Sequence, residues 1–328
     1  MYRYLLLFTL ALTSFTSLAN TNEDKSFYAL LDEIWEYEIS VSPLLASRQG
    51  DNSQNNKLPD ISPQGLATQD QQWQAYRKAL KAYSKENLSD EAFISLLMQQ
   101  YRLENYISQY HFRAYLVPIN SEYGFHGAMA SLPNLSAFKS VDDYQAYISR
   151  LHALKPYFEQ QIAYMRQGLE EGYTQPKVVL EGFENAVAAY ILDDPKKSGF
   201  YSPFTRFPKH IDASQRAALA QQGHKAITTS VFPAYQAFYD FMVDEYIPGA
   251  RAAIAANEWP DGKAYYANRA KHYTTTDMSP EDIHTLGLKE VKRIRAEMQS
   301  VVDSLNFDGS IDEFITFLRE DPQFYATS

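Results

Sequence analysis

An all-α fold, a multi-helix array with long ordered loops, is what this sequence predicts, and three observations carry the prediction. Apolar residues recur at steps of three and four through most of the chain. Ser-led capping patterns stand at the starts of several of those runs. No convincing series of alternating strand-like segments is found. The 328 residues are 45% hydrophobic, enough for a real core.

Residues 1–19 read as a secretory signal. Arg3 supplies a positive flank, Leu5 to Leu12 with Phe15 form the apolar stretch, and Ser17-Leu18-Ala19 is a small-x-small cleavage site. The apolar run is shorter than the ~20 residues a spanning helix needs. Cleavage near Ala19 is therefore expected, leaving a helical domain over 20–328 that is periplasmic or secreted. No later stretch is apolar enough to cross a membrane, since charges break each of them.

Helical patterns cover 23–40 and 72–87. Phe93, Leu96, Leu103, Ile107 and Tyr110 mark the next helix. The clearest stripe runs from Tyr144 through Tyr147, Leu151, Leu154, Phe158, Ile162 and Met165 to Leu169, with Ser140 and Asp143 as its capping box. Pro156 is expected to kink or divide it. Weaker patterns follow at 176–192, 213–230, 232–246 and 261–271. Ser279-Pro280 then caps a helix carrying Ile283, Leu286, Val291, Ile294, Met298, Val301 and Leu305, and Ser310 with Glu313 caps a short last one. Residues 47–66, 118–140 and 193–212 lack helical pattern. Aromatic residues in the second and third indicate packed rather than loose loops.

Composition excludes several chemistries. The chain has no cysteine, which removes disulfides, thiolate ligands and a cysteine nucleophile. Its formal charge of -10 argues against nucleic acid as a partner. Lys289, Lys292, Arg293 and Arg295 sit beside acidic neighbours and read as a solvated face. None of the seven histidines precedes a glutamate, and no two stand three or four residues apart, so no helix presents a two-histidine metal face. Neither a nucleophile elbow nor a complete phosphate-binding loop is present. No catalytic or metal-binding residue is assigned on these grounds.

One region concentrates polar chemistry. Tyr265 and Tyr266 precede His272, Thr274 and Thr275, bringing phenol, imidazole and hydroxyl groups into one short segment that could hold a peptide backbone or a carboxylate. Composition alone favours the plainer reading, in which the tyrosines pack and the threonines serve a helix end. The 25 tyrosines of the chain fall mostly on helix stripes and read as amphipathic core-edge residues.

The segment 259–298 carries a resemblance. Trp259-Pro260-Asp261-Gly262, the paired tyrosines, and the run Thr274-Thr275-Thr276-Asp277-Met278-Ser279-Pro280-Glu281-Asp282 continuing to Met298 resemble the bacterial domain of unknown function 885 family. Ser42-Pro43-Leu44-Leu45-Ala46 with Gly50-Asp51, Asp143-Tyr144 through Leu151, Arg166 with Gly168 and Gly172, and Phe232-Pro233-Ala234-Tyr235 are similar to its other parts. The resemblance implies an exported helical protein, considerably longer, whose later helix carries a zinc site of metallopeptidase type. No position here matches that motif. The chain is thus expected to be the N-terminal portion of a zinc metallopeptidase-like hydrolase, incomplete at its C-terminus and inactive alone. No cofactor is expected in this chain, zinc being expected for the full-length family. The expected partner is a peptide substrate or the missing C-terminal half. The resemblance further implies that Tyr265, Tyr266, His272, Thr274 and Thr275 help wall the family's cleft. The competing expectation is a non-catalytic periplasmic peptide- or glycan-binding module.

Overall fold

The computed structural model describes residues 21–326, and the expected signal segment lies outside them. Among the described residues the regular structure is helical, with only isolated bridges pairing Ile119 with Gly124 and Pro176 with Arg251. The fold class is therefore all-α. The chain divides into two units, the first ending at Ala255 and the second beginning at Ala256.

The first unit opens with α1 (Thr21–Val41), the short α2 (Pro43–Arg48), α3 (Pro63–Ala79) and α4 (Asp90–His111). Helices α1, α3 and α4 bury Phe27, Ile34, Trp73, Tyr76, Leu96 and Leu103 in one cluster. Helix α3 starts well before the patterned stretch 72–87. Ser62 caps it by accepting from the Gly65 N–H, and Pro63 occupies the first turn where its lack of an N–H costs nothing. That first turn is polar and exposes no apolar stripe to read.

Beyond α5 (Phe125–Ala130) and α6 (Leu132–Leu135) comes α7 (Val141–Glu171), the central helix, with the capping box of Ser140 and Asp143 in place. It runs undivided through Pro156, contrary to the expected break. Leu154 and Phe158, on either side, are fully buried. Their packing outweighs the ~3 kcal/mol that an interior proline costs. The pattern at 176–192 instead resolves into a 3-10 turn and the short α8 (Phe183–Ala188), separated by Gly182 at φ +77. That left-handed conformation ends one helical segment and starts another.

Segments 213–230 and 232–246 are parts of one continuous helical run. α9 (Ala213–Ala226), α10 (Phe232–Phe241) and α11 (Ile247–Gly249) are joined by π turns at Ile227–Val231 and Met242–Tyr246. Each π turn ends just ahead of a proline, Pro233 and Pro248. The widened turn shifts the bonding register where the proline has no N–H to offer, so the rod continues. The core lies where this rod crosses α7 and α5: Phe158 meets Tyr235 at 4.8 Å and Phe125 meets Phe238 at 4.6 Å between ring centroids.

Buried polar groups on these helices hold the three patternless stretches. Tyr164 donates to the carbonyl of Ile61 at 2.7 Å, and Arg150 donates to those of Gln54 and Lys57. Tyr235 donates to the carbonyl of His126 at 2.6 Å. Tyr147 donates to Phe200 O at 2.9 Å and Tyr144 to Arg206 O at 3.0 Å. Each ring fills the core while its hydroxyl satisfies a loop carbonyl that water cannot reach. Replacing Tyr235 by Phe keeps the packing and strands one enclosed carbonyl, so chemical denaturation should show a loss of about 1–3 kcal/mol. A loss under a few tenths would mean that this bond is not what fixes the loop.

The second unit contains α12 (Gly262–Thr274), α13 (Pro280–Ser304) and α14 (Ile311–Glu320). Capping boxes start α13, from Ser279 and Asp282, and α14, from Ser310 and Glu313. Val302 and Ile311 are its buried aliphatic residues, and Phe307, Phe314, Phe317 and Phe324 form an aromatic chain with centroid spacings of 5.1 to 5.4 Å along it.

Candidate functional site

The turn before α12 is tight. A side chain at Gly262 would place its Cβ 2.3 Å from the carbonyl of Ala256, and Asp261 takes the left-handed conformation at φ 55. This closure brings Trp259 back onto the first turn of α12, where it stacks on Tyr265 at 5.0 Å and 28°. The Arg269 guanidinium, one turn further on, lies 5.8 Å from the centre of the same ring. Burial raises the Tyr265 phenol above its ordinary value, so it is a proton donor at neutral pH. Tyr266, one residue on, points to another face and is about half exposed.

His272 packs edge-on against Tyr273 at 5.1 Å. Burial, then the charge of Arg269, holds its imidazole below the usual range, and it is neutral at pH 7. Thr274 turns its hydroxyl back to the carbonyl of Ala270 at 2.8 Å and meets the Thr276 hydroxyl at 2.9 Å. Thr275 is the left-handed residue that ends the helix, and its hydroxyl donates to the Thr274 carbonyl. Tyr265 and Thr275 are thus separated by about 15 Å of helix. The structure places the five predicted residues along one helix and its C-terminal cap: Tyr265 meets Trp259 and Arg269, the Arg269 charge also reaches His272, and Tyr266 lies half-exposed on another face. The hydroxyls of Thr274 and Thr275 serve the helix end.

The other distinctive surface of this unit is α13. Val291, Ile294, Met298, Val301 and Leu305 follow at helical steps along one stripe and are 38–59% exposed. On the polar side Arg293 pairs with Glu290 at 2.8 Å and with Glu297 at 2.6 Å, as a solvated face should. An amphipathic helix ordinarily buries its apolar stripe; here the stripe is open although the helix is long, capped and regular.

Among the described residues no three His, Asp or Glu side chains converge in a way that could hold a metal ion. These residues do not fit the zinc expected for the full-length family. Nor is any described helix long and apolar enough to cross a membrane.

Sequence reasoning passed over one arrangement in the first unit. Asp70 and Trp73 on α3, with Tyr106 and Tyr110 on α4, line a common cavity. The i,i+3 and i,i+4 spacings carry the signal, but Asp70 lies ahead of the apolar pattern at 72–87, on the polar first half of α3.

The model of the family described as "Bacterial protein of unknown function (DUF885)" matches residues 43–328, and the chain belongs to that family. Among solved structures, the crystal structure described as that of "the putative lipoprotein from Colwellia psychrerythraea" is similar, with a TM-score of 0.72 and 16% identity over 92% of this chain. The likeness is one of fold. This chain spans 55% of the length of that structure. No curated protein matches.

Proposed function

We propose that this member of the DUF885 family forms the N-terminal, non-catalytic helical part of a longer exported hydrolase of metallopeptidase type, and that the α13 stripe is the surface the catalytic part covers. The observation that carries the reading is the open row of Val291, Ile294, Met298, Val301 and Leu305. Each is already partly covered by its own helix, so burying the remainder is worth roughly 1 kcal/mol per residue, enough together to hold a second folded part. The 55% share of the solved neighbour's length and the sequence resemblance support the same reading. In this role the helices would supply a wall and a frame, and any metal would be held by residues of the other part. The segment around Tyr265 and His272 would face the substrate.

Two measurements test this. Purified chain, incubated with added zinc and a peptide mixture, is expected to release no new amino termini above the buffer rate; hydrolysis by the metal-loaded chain would sink the proposal. An open stripe also predicts association. Ile294→Glu with Val301→Glu should shift the light-scattering mass towards monomer while leaving the melting temperature within a few degrees, because neither side chain is in the core. An unchanged mass for a chain that is already monomeric would leave the stripe without the stickiness the proposal requires.

A further inference from the structure

The cavity between α3 and α4 has a volume of about 210 Å3 and lies wholly within the first unit. Its lining combines four aromatic rings, Trp73, Tyr106, Tyr110 and Tyr115, with the carboxylate of Asp70. Trp73 and Tyr106 lie 5.2 Å apart, Tyr110 and Tyr115 5.9 Å, and Tyr115 is backed by Tyr164 at 5.0 Å. The rings are therefore held by their neighbours and do not depend on a ligand for their positions.

The carboxylate is the decisive feature. Asp70 is only 8% exposed, and a buried carboxylate is ordinarily matched by a cation. Glu38, a buried carboxylate that shares Tyr106 with this cavity, has one: Arg102 Nη2 reaches it at 2.5 Å, and the Tyr106 hydroxyl donates to it at 2.8 Å. Asp70 accepts from the Gln74 amide at 2.6 Å and takes part in no ion pair among the described residues. One carboxylate of the pair is matched within the protein; the other opens onto a cavity walled by aromatic rings. Electron-rich rings around a fixed negative charge are the environment that stabilises an organic cation.

We infer that this cavity is a binding site for a compact alkylammonium group, with Asp70 as counter-ion and Trp73, Tyr106, Tyr110 and Tyr115 as the cage. The inference is independent of the role proposed for α13. The cavity holds the volume of several water molecules, which suits a trimethylammonium head.

The test uses the full chain and choline chloride as the probe, followed by tryptophan fluorescence and by calorimetry. A saturable signal is expected with choline and none with 3,3-dimethylbutanol, its neutral isostere. Asp70→Asn, which keeps an acceptor for Gln74, should weaken choline by at least about tenfold, or ~1.4 kcal/mol. Should that variant lose its fold by circular dichroism, Tyr115→Leu in the cavity wall is expected to weaken choline in the same direction. Equal responses to choline and the neutral alcohol would overturn the site, as would an unchanged affinity in a folded Asp70→Asn protein. Sedimentation with phosphatidylcholine vesicles separates the sources. Capture reversed by free choline identifies a lipid headgroup, and choline binding without capture identifies a soluble solute. Failure of both overturns the inference.

Discussion

Replacing Arg150 by Met is expected to remove roughly 3 kcal/mol or more of stability, at a cost of about 1–3 kcal/mol for each buried carbonyl left without its donor. Arg150 sits in the middle of α7 with no exposed surface. Its Nε donates to the carbonyl of Lys57 at 2.9 Å, and its Nη2 lies within reach of Pro43 O at 3.1 Å, Ser47 Oγ at 2.8 Å and Gln54 O at 3.0 Å. No carboxylate pairs with it among the described residues; backbone dipoles do the work of a counter-ion. Burial lowers its pKa to about 10, so it remains charged at neutral pH. Met fills similar volume but offers none of these bonds, and it strands carbonyls from a stretch that has almost no helical structure of its own. Lys would fare little better, because a single ammonium cannot spread over the same set of acceptors. Urea denaturation gives the loss. Limited proteolysis should show the first new cuts between residues 47 and 62. A variant within 1 kcal/mol of the parent, uncut in that stretch, would show that the loop is held by other contacts.

Acid should weaken the parent protein through His126, and His126→Leu should remove that sensitivity. The imidazole is 6% exposed among Phe125, Phe183 and Phe238, and its Nδ1 is enclosed without a hydrogen-bond partner. Burial pulls its pKa down to about 4 from an ordinary 6.5. The sign follows from proton counting. Between those two values the unfolded chain binds a proton that the folded chain refuses, so stability falls as pH falls. The contribution is intact above about pH 6.5 and declines down to about pH 4, by about 3 kcal/mol at most. Denaturation midpoints at pH 7 and pH 4.5 measure it, with the variant as reference. Equal acid sensitivity in parent and variant would assign the effect to the carboxylates instead.

Arg150 and His126 also mark the boundary between what a sequence reveals and what it hides. The helices were legible because each carries its own evidence. Ser140, Ser279 and Ser310 cap with the acidic residue three positions on, and the stripe from Tyr144 to Leu169 repeats at helical spacing. Pro156 misled in the other direction, and Pro233 and Pro248 likewise sit inside a continuous helical run. Local rules assign a proline a break, whereas burial on both sides and π turns absorb it. The predicted cleft residues were adjacent in sequence, and adjacency on a helix spreads side chains around it. Tyr265 found Trp259 and Arg269, and Thr274 found its own helix end.

Local signals alone determined the all-α class, the capped helix starts and the family resemblance, because these depend on residues a few positions apart. Tertiary structure decided the rest. Which tyrosine hydroxyl meets which loop carbonyl, which of two buried carboxylates has an arginine, and which apolar stripe stays open all depend on groups far apart in the chain: Arg150 meets Lys57, and Arg102 meets Glu38. No periodicity encodes such pairings, since they follow from the way separate helices pack and from the need to satisfy each polar group that packing removes from water.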